Sequence, residues 1–134
     1  MKDEYQRVAR RSLTAARVLL DVQIYEMATF CCYHAYESAA SALATSKSKK
    51  HGPKVTHQVK LKTFWSCAET IGNNEITDKI AQLNVEIGSL RNRLLYPREV
   101  DGQIKIPQDE VSPQQVQQLL EDVQVVVNWV GEQI

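Results

Sequence analysis

Residues 75–97 read EITDKIAQLNVEIGSLRNRLLYP, and their pattern decides the fold. Ile76, Ile80, Leu83, Ile87, Leu90 and Leu94 recur at three- and four-residue steps, the spacing that lines one face of an α-helix. The segment therefore predicts a long amphipathic helix over about Glu75–Leu95. Pro97 closes it, because proline disfavours the helical conformation at the residue before it, here Tyr96. Gly88 sits inside at a cost of about 1 kcal/mol relative to alanine, which a close helix contact would explain. Arg91, Asn92, Arg93 and Tyr96 gather on the last turn beside the apolar stripe. Polar groups so placed suit a phosphate or a nucleotide.

The same period extends outward in both directions. A first helix is expected over about Asp3–Asp21, with Tyr5, Val8, Ala9, Leu13, Ala16, Leu19 and Leu20 on one face. A second is expected over about Ile24–Thr45, its stripe formed by Ile24, Met27, Ala28, Cys31, Ala35, Ala39, Ala42 and Leu43. The small residues Ser38–Ala42 allow another helix to approach closely. Gly52-Pro53 breaks the loop that follows. A third helix is expected over about His57–Ile71, with Leu61, Phe64, Trp65, Ala68 and Ile71 inward, ended by Gly72. Residues 97–111 form a long connection in which Val100, Gln103, Ile104, Lys105 and Ile106 alternate like a short extended piece. The last helix then opens with Ser112 as cap, Pro113 in the first turn and Gln115 completing a capping box. Its valines (Val116, Val123, Val126, Val127, Val130) are poor helix formers, so it depends on packing.

These segments give an all-α fold: an up-and-down antiparallel bundle of four long helices plus a fifth C-terminal helix, in a single domain over 1–134. A chain of 134 residues can bury a core of that kind without staples. Five glycines and four prolines, clustered between the periodic segments, argue against a many-turned sheet.

Several function classes are disfavoured. Sixteen basic residues balance sixteen acidic ones, so the whole-chain charge carries no case for nucleic acid. No apolar run suggests a signal peptide or a membrane span, and three cysteines, two adjacent, make no disulfide framework. A cytoplasmic location without membrane contact is the expectation. No metal ligand set, glycine-rich phosphate loop or Ser-His-Asp order is present, and no cofactor is expected. Cys31, Cys32 and Cys67 read as small buried hydrophobes.

Charge is nevertheless uneven along the chain. No acid lies between Ser38 and Ala68, while Lys47, Lys49, Lys50, Lys54, Lys60 and Lys62 do. A basic loop beside Arg91, Arg93 and Arg98 would steer a polyanion, so Lys47, Lys49, Lys50, Arg91, Arg93 and Arg98 are the candidate nucleic-acid contacts.

Three segments carry a family resemblance. Tyr25-Glu26-Met27-Ala28 followed by Tyr33-His34-Ala35-Tyr36-Glu37 resembles a helix of the HEPN (higher eukaryotes and prokaryotes nucleotide-binding) proteins. Thr56-His57 after a polar loop resembles the opening of their third helix. Arg91-Asn92-x-x-x-Tyr96 is similar to their Arg-x(4–6)-His motif, with tyrosine replacing histidine. The match spans about Leu13–Pro97. It implies a four- or five-helix bundle, a homodimer, and binding of RNA, a nucleotide or a small nucleotidyltransferase partner, in a toxin–antitoxin or defence-type system. It also implies an alternative: a metal-independent ribonuclease in which Arg91 stabilises the phosphate, Asn92 positions it and Tyr96 takes the acid/base place. A purely structural interaction module is the third reading.

The chemistry of the residues favours binding over cleavage. Moving a proton near neutral pH suits histidine, whose pKa is near 6.5, better than tyrosine, near 10. Arg91 and Tyr96 also differ by about 140° around an ideal helix and converge only if the helix ends near Tyr96. Asn92 and Tyr96 lie one turn apart. His34, with Glu37 three residues on to orient it, is the substitute acid/base candidate.

Overall fold

Capping chemistry sets the helix boundaries. The computed structural model describes residues 1–134 and contains α1 (Lys2–Asp21), α2 (Tyr25–Ser46), α3 (His57–Ile71), α4 (Asn74–Leu90) and α5 (Pro113–Gln133). Thr56 and Asn73 cap α3 and α4 by accepting from the backbone N–H groups of Val59 and Ile76. Gly72 ends α3 in the left-handed conformation, at φ 93°. Ser112 and Gln115 form the expected capping box at α5.

α4 is shorter than its stripe predicts. The α-helix stops at Leu90, and Arg91–Leu94 continue as a 3-10 turn. The stripe survives this change, since Leu94 is buried. A tightened last turn is a common helix ending, and Pro97 bars further α-helix. Beyond it, β1 (Arg98–Val100) pairs antiparallel with β2 (Gln103–Lys105) around a turn with both Asp101 and Gly102 at positive φ. The extended piece is therefore half of a hairpin. A 3-10 turn at Pro107–Asp109 leads to α5.

The bundle centres on α2, which packs against α1, α3 and α5; α5 also returns to α1, and α4 closes between α3 and α5. Every residue from Ser38 to Ala44 is buried, as befits a helix surrounded by neighbours. One cluster of 27 buried residues joins all five helices. Phe64 lies edge-on to Tyr36 with ring centroids 5.3 Å apart, and burying such a ring contributes roughly 1.5–3 kcal/mol.

Periodicity misplaces several residues. Ile24, Met27, Val8 and Trp65 are exposed, and Cys31 is only half-buried. α2 has no single inward face, so a one-sided stripe could not describe it. Trp65 lies beside the inward Phe64–Ala68 face of α3 and is 40% exposed. No helix is long and apolar enough to cross a membrane.

Candidate functional site

The polar end of α4 opens into a cleft of about 250 Å³ built from three helices. Ile87, Gly88, Arg91 and Asn92 line it from α4 and its 3-10 extension; these lie at i, i+1, i+4 and i+5, one face of the helix. His57, Gln58 and Leu61 come from the first turns of α3, and Glu37 from α2. The Thr56 cap fixes where α3 begins and so places His57 and Gln58 in its first turn. Thr56 satisfies the Val59 N–H, leaving those of His57 and Gln58 free at the positive end of the helix dipole.

Arg91 is half-buried, with Asn92 exposed at the rim. Glu37 Oε1 lies in contact with His57 Nδ1. Burial pushes the Glu37 carboxyl up from its ordinary value, and the positive charges of Arg91, Lys60 and His34 oppose this. His57 Nε2 is buried with no hydrogen-bond partner. The site thus combines a guanidinium, an amide, a helix N-terminus and an imidazole–carboxylate pair. An anion fits that set, with Glu37 already engaged by His57.

The residues expected from sequence divide. Arg91 and Asn92 share the cleft, whereas Tyr96 is 72% exposed and stands outside its lining. The guanidinium and phenol do not meet in one crevice. Arg93 is exposed outside the cleft; burial and the Glu86 carboxylate push the Tyr33 phenol up, and the Arg93 charge opposes them. Arg98 instead ties the hairpin to the loop before α5, its Nη2 donating to both Glu110 oxygens at 3.1 and 3.2 Å. Lys47 and Lys49 line a different cavity, and Lys50 is exposed beside them. His34 is exposed, and the expected Glu37–His34 orientation gives way to Glu37–His57. Gly88 has no heavy atom within 4 Å of an added Cβ, so no close helix contact accounts for it; it keeps the cleft wall open.

Sequence reading missed the pairing of His57 with Glu37. The available signal was a carboxylate, Glu37, one residue before the continuously buried Ser38–Ala44 stretch, where an acid needs a partner. A larger concavity of about 560 Å³ lies between the C-terminal end of α1 and the start of α5, but amides with Asp21 and Glu121 line most of it. No group of three His, Cys, Asp or Glu side chains stands together.

Fold and site define a helical-bundle protein with a cationic cleft at the end of its fourth helix. The HEPN domain profile matches residues 3–133, nearly the whole chain, and the chain belongs to the HEPN family. The crystal structure of an archaeal HEPN homologue superposes with a TM-score of 0.65 at 18% identity, covering 99% of this chain and 97% of that one. No curated protein matches the chain.

Proposed function

We propose that this protein binds the phosphate of an RNA or a nucleotide in the Arg91 cleft, as a binder without strong catalysis. One observation carries the reading: Arg91, Asn92 and the first turn of α3 converge on one cleft of about 250 Å³. Arg91 supplies a fork of donors to the phosphate oxygens, and the α3 N-terminus adds N–H groups and a favourable dipole. Family membership supports the ligand class and extends the proposal to a cytoplasmic homodimer, with a small nucleotidyltransferase as protein partner, in a toxin–antitoxin or defence-type setting.

The test is titration of labelled single-stranded RNA and of ATP, in chelator at low salt, against wild type and Arg91→Ala. Micromolar or tighter binding weakened about tenfold or more in a folded variant supports the reading, given that charge-assisted hydrogen bonds contribute roughly 1.5–3 kcal/mol. Equal binding by both proteins, or none by either, overturns it.

A second reading, the metal-independent ribonuclease, has its own observation: His57 and Glu37 lie beside Arg91, an imidazole–carboxylate pair where Tyr96 gives no base. A neutral His57, held at Nδ1 by Glu37, would accept the 2′-hydroxyl proton at its partnerless Nε2 as that oxygen attacks phosphorus. The P–O5′ bond then breaks, and the leaving oxygen takes a proton from water. Cleavage of mixed RNA in chelator, abolished by both Arg91→Ala and His57→Ala, distinguishes an enzyme from a binder.

A further inference from the structure

The expected basic contacts separate into two places, and the second is a groove of its own. One cavity of about 360 Å³ is lined by Lys47, Lys49, Ser66, Cys67, Thr70 and Ile71. An adjoining one of about 310 Å³ shares Lys49, Ser66 and Cys67 and adds Lys62 and Thr63. The shared walls make them one continuous groove between the segment after α2 and the outer side of α3. Ser66 lies nine residues beyond His57, about 14 Å along the helix and about half a turn around it. The groove therefore opens away from the Arg91 cleft.

Its chemistry is one-sided. No carboxylate lines either cavity. The carboxylates in salt-bridge contact pair Glu4 with Met1, Glu37 with His57, Asp122 with Lys79 and Glu110 with Arg98, so Lys47, Lys49 and Lys62 have no acidic partner. Three unpaired ammoniums facing one hollow repel each other, and an anion between them removes that repulsion. Thr63, Ser66 and Thr70 follow one another at three- and four-residue steps, which puts their hydroxyls in a row along α3. Thr70 donates to the Ser66 carbonyl at 3.0 Å, whereas the Ser66 hydroxyl makes no hydrogen bond to the protein. Cys67 forms the floor. Burial pushes its thiol up, and Lys49 and Lys47 oppose the shift, so both charges act at the floor itself.

We propose that this groove is a second anion site, taking a chain of phosphates between Lys47, Lys49 and Lys62 and the Ser66 hydroxyl, with Thr70 lining the same wall. The chain is either a free polyphosphate or the backbone of a single-stranded nucleic acid. Ammoniums supply point charges along such a chain, while the Ser66 hydroxyl, free of any bond within the protein, donates to a phosphate oxygen.

Calorimetric titration with inorganic tripolyphosphate and with a short oligouridylate, both in chelator, tests this. The proteins are wild type, Lys47→Ala/Lys49→Ala/Lys62→Ala, Ser66→Ala/Thr70→Ala, Arg91→Ala and the control Lys50→Ala/Lys54→Ala, each checked for folding by circular dichroism. The expected result is one bound tripolyphosphate, at least tenfold weaker in the lysine triple variant and several-fold weaker in Ser66→Ala/Thr70→Ala. The control leaves it unchanged, and Arg91→Ala retains a site that depends on the three lysines. Binding of oligouridylate alone, with a loss in the lysine triple variant beyond any loss in Arg91→Ala, assigns the groove to a nucleic-acid backbone. Binding of neither ligand overturns the proposal, as does an equal loss in the control pair or no loss in the hydroxyl variant. Because Arg91→Ala reports on the other cleft, failure there is read separately from failure here.

Discussion

His57 at the start of α3 and Glu37 on α2 meet as an imidazole–carboxylate pair, Nδ1 to Oε1, inside the cleft that also holds Arg91. Their side chains are only 27% and 20% exposed, so the pair is mostly withdrawn from water. Removing the imidazole leaves a carboxylate that burial already disfavours. His57→Ala is expected to lower the unfolding free energy by about 1–2 kcal/mol, with Glu37 left short of a partner. His57→Gln, which can still donate a hydrogen bond, should lose less. Urea titrations of the three proteins measure the order, and an Ala variant as stable as wild type refutes the pairing's structural weight.

Tyr96 is expected to be nearly silent. Its ring is 72% exposed, and its hydroxyl bonds to no protein group. Tyr96→Phe should change stability by no more than about 0.5 kcal/mol. Phosphate or RNA binding through Arg91 should also be unchanged, because the phenol does not line that cleft. A tenfold affinity loss in Tyr96→Phe would return the tyrosine to the site.

The sequence disclosed what local chemistry controls. Ser112, Pro113 and Gln115 start α5 as read, because a capping box is complete within four residues. The stripe Ile76–Ile80–Leu83–Ile87 is buried as read, because α4 covers the core with one face. α2 resisted this reading, since its burial is set by three neighbouring helices rather than by its own period. Half of the site was legible: Arg91 and Asn92 are adjacent in the chain and share the cleft. His57–Glu37 and Arg98–Glu110 are tertiary pairs that no local spacing encodes. The turn at the end of α2 likewise decides that Lys47 and Lys49 face α3 rather than Arg91.

A buried polar bridge ties three helices behind the cleft. The Tyr36 hydroxyl donates to Asn84 Oδ1 at 2.7 Å, and Asn84 Nδ2 donates to the Leu61 carbonyl at 3.1 Å. α2, α4 and α3 are thereby fixed to one another, Leu61 being itself a cleft residue. Tyr36→Phe is expected to lower stability by about 1–2 kcal/mol, because the Asn84 oxygen loses its donor inside the protein. Asn84→Ala should then cost clearly less in the Tyr36→Phe background than in wild type, and additive losses in that double-mutant cycle refute the bridge.

Glu86 gives stability a pH dependence of definite sign. Burial, then the negative charge of Asp122, raises its carboxyl above the ordinary value of 4.5. Its contribution is therefore intact below that value and is lost as pH rises through the raised folded value, where the ionised form is disfavoured. Glu86→Gln removes the ionised form. The variant should melt at a higher temperature than wild type near neutral pH, and the two curves should converge at about pH 3.5, below the unfolded carboxylate's pKa. A variant less stable at neutral pH, or a gap that widens on acidification, contradicts the assignment.

Gly88 sets stability against binding. It lies within α4, where glycine is less favourable than alanine by about 1 kcal/mol. A Cβ at this position meets nothing within 4 Å, so Gly88→Ala introduces no clash and should stabilise the bundle by about 0.5–1 kcal/mol. Yet Gly88 lines the cleft between Ile87 and Arg91, and the open space around it belongs to the hollow a ligand would fill. The added methyl should therefore weaken phosphate-ligand binding while raising the melting temperature, opposite changes in one variant. A loss of affinity caused by unfolding would come with a lower melting temperature, so the two measurements separate steric filling from damage to the fold. Higher stability with unchanged affinity would mean that the ligand does not enter this part of the cleft.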